Sequence, residues 1–497
     1  MFKKKLPLFI LIGILILYVL IRIKPLHFQT VGYTYDQGRD FLKVAEMVAT
    51  HKPTFIGPTT GINGLYHGAW WYYVLIIPFL LFKGSPLGFY YFNFFIQIGL
   101  LTVVFFFLKK YFGNLIALLF GLVVALSPYF IFTSLFVGNN IMVLPVMLGF
   151  LIANFKIFED KKIQKPLMLS LLTGLFLGLI GEFELSFGLF LIPTYFLALF
   201  IFKKLRTFYV KLPNLSFFLL GLGIAFTPRL LFEIKNKFLQ TKTLLSFFFK
   251  PKLYNPKPYI DVIKDRVVLF KGYYEELFPN VFLALLFTVL LVILLIYLFK
   301  NKTRLYAKSL LFFTYLVGML FFLSTLYKDN FWRNYYDGIQ YIFLFIISII
   351  LLTATKISLW EKYGKKVLIL LLIFIGLYQI ILSWQSTPKY EGLAVQRAVV
   401  TYILSHEKNT DNYCVRTYTP PVIPYTYNYL FTYEKMKKNV ALPGNEWVNG
   451  TCWFIMEPDP FKFRLNEWKK VNEPEKKAIV TSKKIQEILI NHYEVTQ

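Results

Sequence analysis

"WWYYVLIIPFLLF", residues 70–82, decides how this chain crosses a bilayer. The run is apolar but short, contains Pro78 and opens with four aromatic residues. A spanning helix needs about 17–25 apolar residues. Positive charge arbitrates, because connections rich in Lys and Arg stay cytoplasmic. If 70–82 does not span, five basic connections share the cytoplasmic side. They hold Lys109/Lys110, Lys156/Lys161/Lys162/Lys165, Lys203/Lys204/Arg206/Lys211, Lys300/Lys302/Arg304/Lys308 and Lys356/Lys362/Lys365/Lys366. The short connections around 134–140 and 181–184, which lack Lys and Arg, then face outward. If 70–82 spans, every later assignment inverts. The run therefore reads as an interfacial or re-entrant helix, its Trp and Tyr side chains at headgroup level.

Working outward, runs long enough to span start near Leu6, Leu87, Leu115, Ile141, Pro166, Phe183, Leu212, Asn280, Ser309, Ile339 and Val367, eleven in all. The 497 residues are 57% hydrophobic and 20% aromatic, with a mean hydropathy of +0.55, which a soluble chain of this length would not carry. The expectation is a polytopic α-helical membrane protein of about eleven transmembrane helices plus interfacial or re-entrant helices. The net charge of +27 does not point to nucleic acid, since the lysines cluster at the ends of apolar runs, where they meet anionic headgroups. The N-terminus, "MFKKKLPLFILIGILILYVLIRIK", has a basic start, an apolar stretch and no small-x-small cleavage site. It reads as a retained signal-anchor with a cytoplasmic N-terminus. No internal repeat is evident, which argues against a transporter built from duplicated halves.

Three large segments fall outside on this topology: 24–86, 234–279 and everything after about 385. Residues 1–384 form the membrane domain, with the first two segments as its active face. Residues 385–497 read as a small extracytoplasmic α/β domain, with strand-like runs "YCVRTYT" and "TCWFIME" and a closing helix "SKKIQEILINHY". The intervening "TYTPPVIPYTYNYLFTYE" (417–434) reads as a Pro- and Tyr-rich loop, a rigid connection or a ligand platform. Both cysteines, Cys414 and Cys452, lie in this domain. Neighbouring strands would let them bond, with two buried reduced thiols as the alternative.

Candidate functional residues gather near outward span ends. In "DQGRDFLKVAEMVAT" (36–50), apolar positions 41, 44, 45 and 48 have helical spacing and suggest a lipid-facing stripe. Asp36 sits at the helix start, where a carboxylate can cap free N–H groups. Asp40 and Lys43 share its polar side and would be displayed at the membrane surface. Glu182 and Glu184 fall at an outer turn, where a carboxylate is either functional or a snorkelled turn residue. Asn139 and Asn140 occupy another such turn, for ligand or for backbone reasons. No G-x-x-x-x-G-K-S/T, no cytoplasmic D-x-D and no zinc-ligand pattern is present.

The ordered set "YDQGRDFLKVAEMV…FIGPTTGINGLYHGAWWYYVLIIPFLLFKGSPLGFYYFNFF", "TPRLLFEIKNKFLQTKTLL" (227–245) and "YTPPVIPYTYNYLF" (418–431) resembles multi-span glycosyltransferases of the GT-C type. These include protein O-mannosyltransferases and the aminoarabinose and rhizobial lipopolysaccharide glycosyltransferases. The shared features are an acid-x-x-Arg, a Gly-Pro and a His-Gly followed by aromatics. The resemblance implies a GT-C fold, a polyprenyl-phosphate sugar as donor and Asp36 as the catalytic acid that ends the first span. Where O-mannosyltransferases have Asp-Glu, this chain has Asp36-Gln37, so Asp40 could serve as the second acid. His67-Gly68-Ala69 keeps the family's His and loses its Pro.

The chemistry is consistent with the residues themselves. A polyprenyl phosphate leaves as a stabilised anion, so no acid need protonate it. The transition state needs a base for the acceptor hydroxyl and cations where phosphate charge develops. Asp36 can be that base. Arg39, His67, Arg229 and Arg333 are candidate phosphate partners. The expected reaction is inverting transfer of a sugar to a hydroxyl on a lipid, glycan or protein acceptor, at the outer face of the cytoplasmic membrane. Its expected partners are that donor, that acceptor and membrane lipids, with no nucleic acid. No cofactor is expected, although an acid-rich outer loop could recruit a divalent metal. The alternative is a transporter or flippase of lipid-linked glycans, which should carry ionisable or broken-helix features near the midplane of several spans.

Overall fold

The computed structural model describes residues 2–249, 255–301, 305–354, 374, 376–378, 380–381, 384, 392–420 and 423–495. In chain order, the helices of the first part are α1 (Phe2–His27), α2 (Tyr35–Thr50), α3 (Trp70–Leu81), α4 (Pro86–Phe112), α5 (Asn114–Leu126), α6 (Pro128–Ser134), α7 (Val143–Glu159) and α8 (Pro166–Phe183). They continue as α9 (Leu185–Ile201), α10 (Lys203–Tyr209), α11 (Leu212–Lys235), α12 (Leu239–Phe249), α13 (Tyr259–Glu275), α14 (Val281–Asn301), α15 (Ala307–Ser324) and α16 (Ile339–Ala354). The C-terminal part holds α17 (Leu393–His406), β1 (Val415–Tyr418), α18 (Tyr425–Lys438), β2 (Thr451–Met456), α19 (Lys462–Asn472), β3 (Lys477–Ile485) and β4 (Ile488–Val495).

Ten of the eleven expected spans are helical among the described residues, but fewer are straight and long. Six single helices are long and apolar enough to cross a membrane: α1, α4, α7 with the turn before it, α8, α11 and α15. The pairs α5–α6 and α9–α10 are bent by 65° and 94°. The apolar parts of α14 and α16 are shorter. Most of the run starting near Val367 lies outside the described residues, as does the expected boundary near 385. The chain is a multi-pass membrane protein. Helix α3 has 12 residues and so reaches about 18 Å, well short of the ~30 Å hydrocarbon core.

Hydrogen bonds show that the ends of the bundle sort as the charge pattern requires. At one end Tyr111 donates to Asp160 (3.0 Å), Tyr306 to the Tyr111 carbonyl (2.9 Å) and Ser309 to Glu159 (2.7 Å). Among the described residues, this end carries the basic connections at 109–110, 156–165 and 203–211. At the other, Asn139 donates to the Phe183 carbonyl (2.7 Å) and the Gly68 amide to that of Glu182 (2.6 Å). The second end carries α2, α3 and the C-terminal part.

The amphipathic face of α2 does not look into lipid, contrary to the sequence reading. Phe41 stacks on Phe89 of α4 with centroids 3.8 Å apart, and meets Tyr429 of α18 at 5.2 Å. Val44, Ala45 and Met47 are buried with it. Protein from α4 and the C-terminal part, not lipid, covers the stripe.

The C-terminal sheet has the order β1-β2-β4-β3, parallel between β1 and β2 and antiparallel elsewhere. The two strand-like runs are neighbours as expected. Cys414 and Cys452 are disulfide-bonded, with Cα atoms 4.7 Å apart. Their separation of 38 residues would make the cross-link worth about 4 kcal/mol through unfolded-chain entropy. The expected closing helix is instead the β3–β4 hairpin. Gln486 turns the chain at a φ of 52°, and β4 fills the gap between β2 and β3. Pairing with β2 overrides local helix preference there. The second half of the Pro- and Tyr-rich stretch is likewise not a loop but the start of α18.

The sorting of the ends makes the sidedness testable. A cysteine placed at Lys161 should react with a membrane-impermeant thiol reagent only after the cytoplasmic side is opened, and one at Thr60 from outside. Labelling of a Lys110 cysteine from outside would show that α3 spans.

Candidate active site

The first turn of α2 displays one acid and buries another. Thr34, not Asp36, is the N-cap residue, and Gln37 completes the box: its Oε1 accepts from the Thr34 amide (2.8 Å) and hydroxyl (2.6 Å). The Gln37 Nε2 then donates to the Val137 carbonyl (2.7 Å), fastening α2 to the loop after α6. A glutamate in its place would turn a second anion toward that carbonyl, so Asp-Gln here serves structure. Asp36 is relieved of capping, and its side chain is 66% exposed.

Asp40 departs from the surface display expected of it. It is 2% exposed, with Oδ2 accepting from Trp71 Nε1 (2.7 Å) and Oδ1 from Arg39 Nε (2.8 Å). Burial pushes its carboxyl above the usual carboxylate range, against the pull of Arg39 and Trp71. Arg39 reaches Asp36 through its other arm (3.0 Å), so one guanidinium bridges the exposed acid and the buried one.

The Gly-Pro and His-Gly motifs turn out to be partners. The Gly57 amide donates to the His67 carbonyl and the His67 amide to the Pro58 carbonyl, both at 2.9 Å. Gly68 then lies against Glu182 so closely that a Cβ there would sit 2.0 Å from Oε2. Glu182 is fully buried, and its Oε1 accepts from Arg229 Nε at 2.5 Å. Arg229 also donates to the Tyr66 carbonyl (3.0 Å) and Gln240 Oε1 (2.7 Å). The Gln240 amide is in turn held by Glu233 (2.9 Å).

His67 presents a neutral ring to the site. Its Nδ1 accepts from the Leu185 amide at 3.4 Å, which leaves the ring proton on Nε2. Burial, with Arg229 and Arg39 adding repulsion, pushes the imidazole down to about 3, so the ring is neutral at physiological pH. It can offer an N–H but no charge.

A second group adjoins the first at the α8–α9 turn. Asn140 donates to Asp337 (2.5 Å), Arg333 pairs with Glu276, and Glu184 accepts from the Ser186 amide (3.3 Å). Burial pushes Asp337 up to about 7 and Glu184 to about 8. Asn139 is spent on the Phe183 carbonyl. The structure thus brings Asp36, Arg39, Asp40, His67, Glu182 and Arg229 together and sets Asn140, Glu184 and Arg333 in the adjoining group. Trp71, Gln240, Glu233 and Asp337 are missing from the sequence reading. Trp71, Gln240 and Asp337 act through contacts distant in the chain, Glu233 through Gln240 and Thr241 just beyond its own helix, and only Trp71 carried a signal, its place in the aromatic run. Among the described residues, no three His, Cys, Asp or Glu side chains converge as a metal site.

No family model matches the chain, and no curated protein matches its sequence. Its fold does match solved structures. ArnT from Cupriavidus metallidurans in the apo state aligns over 99% of this chain and 98% of its own, with a TM-score of 0.60 at 12% identity. The same protein bound to undecaprenyl phosphate aligns over 98% and 97%, with a TM-score of 0.58 at 11% identity. A looser match to the Archaeoglobus fulgidus oligosaccharyltransferase, over 80% and 56%, has a TM-score of 0.49 at 12% identity and adds nothing to the assignment. The fold is the GT-C fold that the resemblance implied.

The Glu182–Arg229 pair should behave as a buried ion pair. Removing one partner of such a pair typically costs about 3–5 kcal/mol, whereas replacing both with apolar groups costs far less. Arg229→Met should therefore lower the midpoint of thermal unfolding in detergent more than Glu182→Met combined with Arg229→Met. Equal losses would mean that the two side chains do not depend on each other.

Proposed function

We propose that this chain is an integral-membrane glycosyltransferase that moves a sugar from a polyprenyl-phosphate donor to a hydroxyl acceptor, with Asp36 as general base. The observation that carries the proposal is the division of labour at the start of α2. Asp36 is exposed and Asp40 is buried, with one arginine between them. An ArnT-like fold supplies the context, and ArnT itself is known bound to undecaprenyl phosphate, the lipid class carried over here.

The step balances without a further co-reactant. The acceptor oxygen attacks the anomeric carbon as its proton passes to the Asp36 carboxylate. The bond from that carbon to the phosphate oxygen breaks, and the polyprenyl phosphate leaves with the electron pair. Attack opposite the leaving group inverts the anomeric centre. Arg39 is close enough to Asp36 to orient it and to meet phosphate charge as it develops. Asp40, locked by Trp71, holds Arg39 in place and touches no substrate. Arg229 and the neutral His67 are further candidates for the phosphate, through N–H donors.

The reaction is assigned to the outer face of the cytoplasmic membrane, because the basic connections lie at the opposite end of the bundle. The transporter reading draws no support from the fold comparison.

Mass spectrometry of envelope glycolipids and glycoproteins, with and without the protein, should identify the acceptor. With a purified polyprenyl-phosphate sugar in detergent, Asp36→Asn should then lower turnover about 10²-fold or more, the range of a lost general base. Asp40→Asn should lower it less. Thr34→Ala removes the cap at about 1 kcal/mol of local stability and should leave turnover near normal. Near-normal turnover of Asp36→Asn would end the base assignment.

A further inference from the structure

The membrane part buries an arginine that the proposed chemistry does not use. Arg22, near the outer end of α1, is fully buried, and none of the groups it donates to is a carboxylate. Its Nε donates to Ser134 Oγ (2.7 Å). Its Nη1 donates to the carbonyls of Ala125 (2.9 Å) and Tyr18 (3.2 Å), and Nη2 to that of Val124 (3.2 Å). The guanidinium lies over the Tyr18 ring, 3.7 Å from its centre.

The carbonyls of Val124 and Ala125 are the two that the break between α5 and α6 sets free. In an unbroken helix the amide of residue 128 would bond the first and that of residue 129 the second. Pro128 has no N–H, and Tyr129 turns its own toward the Glu276 carbonyl (3.5 Å) at the 65° bend. Within a membrane domain, carbonyls freed in this way need donors from a neighbouring helix. Arg22 supplies both from one planar fork, and its third arm fixes the end of α6 at Ser134. The segment beyond α6 is the one the site leans on. Asn93 donates to the Thr133 and Phe136 carbonyls (2.8 Å each), and Gln37, next to Asp36, donates to the Val137 carbonyl (2.7 Å).

We infer that Arg22 is a positioning residue for Asp36: it stabilises the α5–α6 break and so places the Val137 carbonyl to which the first turn of α2 is fastened. This rests on the proposed role of Asp36 as the base. Arg22 is sealed from solvent and touches no substrate, so its effect on the reaction runs through backbone geometry alone. Arg22→Lys keeps the charge but offers one nitrogen to acceptors that diverge. Arg22→Met keeps the length but leaves both carbonyls without a donor. Pro128→Ala returns an N–H to the Val124 carbonyl, which lets α5 run on straight and carries the 133–137 segment away from α2. Stability and turnover should therefore part when the two changes are combined.

The test uses the purified full-length protein in detergent and two readouts. One is the midpoint of thermal unfolding. The other is release of polyprenyl phosphate from a purified polyprenyl-phosphate sugar, with the acceptor that the envelope comparison identifies. Arg22→Met should lower the midpoint and lower kcat about tenfold or more, with the donor KM unmoved. Arg22→Lys should lower kcat as well. Arg22→Met combined with Pro128→Ala should recover the midpoint while kcat stays low. Near-normal kcat in Arg22→Met or Arg22→Lys would overturn the inference. So would a double variant that regains kcat, or one that fails to regain the midpoint. Should Arg22→Met not fold, the double variant carries the test: folded and slow supports the inference, unfolded overturns it. A wild-type protein that releases no polyprenyl phosphate ends the proposed function, and this inference with it.

Discussion

A buried carboxylate needs partners, and that constraint arranges the polar end of this molecule. Asp40 meets it with Arg39 from its own helix and Trp71 from α3. The indole bond fixes where α3 begins relative to α2. The guanidinium bond fixes the side chain that also reaches Asp36. The two helices have 16 and 12 residues and so are shorter than the ~30 Å hydrocarbon core, which leaves lipid thickness little hold on them. The carboxylate does that positioning, and it does so next to Asp36, the acid of the same turn that stays in water.

The same logic recurs on the next helices inward. Glu182 has Arg229, and Arg229 has Tyr66 and Gln240, so the loop carrying His67 is tied to α8 and α11. Such pairs are weak sources of net stability, because desolvation offsets most of the Coulomb gain. Their consequence is geometric. A membrane bundle has little hydrophobic drive to choose among helix arrangements, and hydrogen-bonded charges at one end supply that choice. Glycines at 57 and 68 permit the approach, since a Cβ at either would overlap its neighbour.

Much of this was legible from residues alone, and the reason differs by feature. The charge pattern separated the two ends of the bundle because lysine placement is a bilayer effect that acts locally. It also kept 70–82 out of the count of spans, a reading that agrees with the 12 residues of α3. Asp36, Arg39, His67, Glu182 and Arg229 were singled out because charged groups are rare in such a chain and gather where apolar runs stop. What failed depended on contacts across the fold. Asp40 looked like a surface acid because helical spacing says which residues share a face, never what covers it. Residues 482–493 looked helical because nothing nearby announces that β2 waits to pair with them. The bend after Leu126 was read as part of one continuous span, since the apolar character does not change there.

The C-terminal part is more than an appendage to the bundle. Its disulfide joins β1 to β2, and β1 leads by a short connection into α18, which lies across α2. Tyr429 donates to the Gly84 carbonyl at the foot of α4 (2.7 Å), and Leu393 and Ala394 donate to Val31 and Gln29 just past α1. These contacts all fall on the chain between α1 and α4, which is the stretch that holds Asp36, Arg39 and His67. The disulfide and these docking contacts tie the start of α18 to the bundle. Such rigidity matters at a base, where misplacement by about 1 Å can cost 10²-fold in rate. The acid helix is short and amphipathic, and it would be free to tilt in the interface if left to lipid. Clamped between α4 and α18 through Phe41, it has no such freedom.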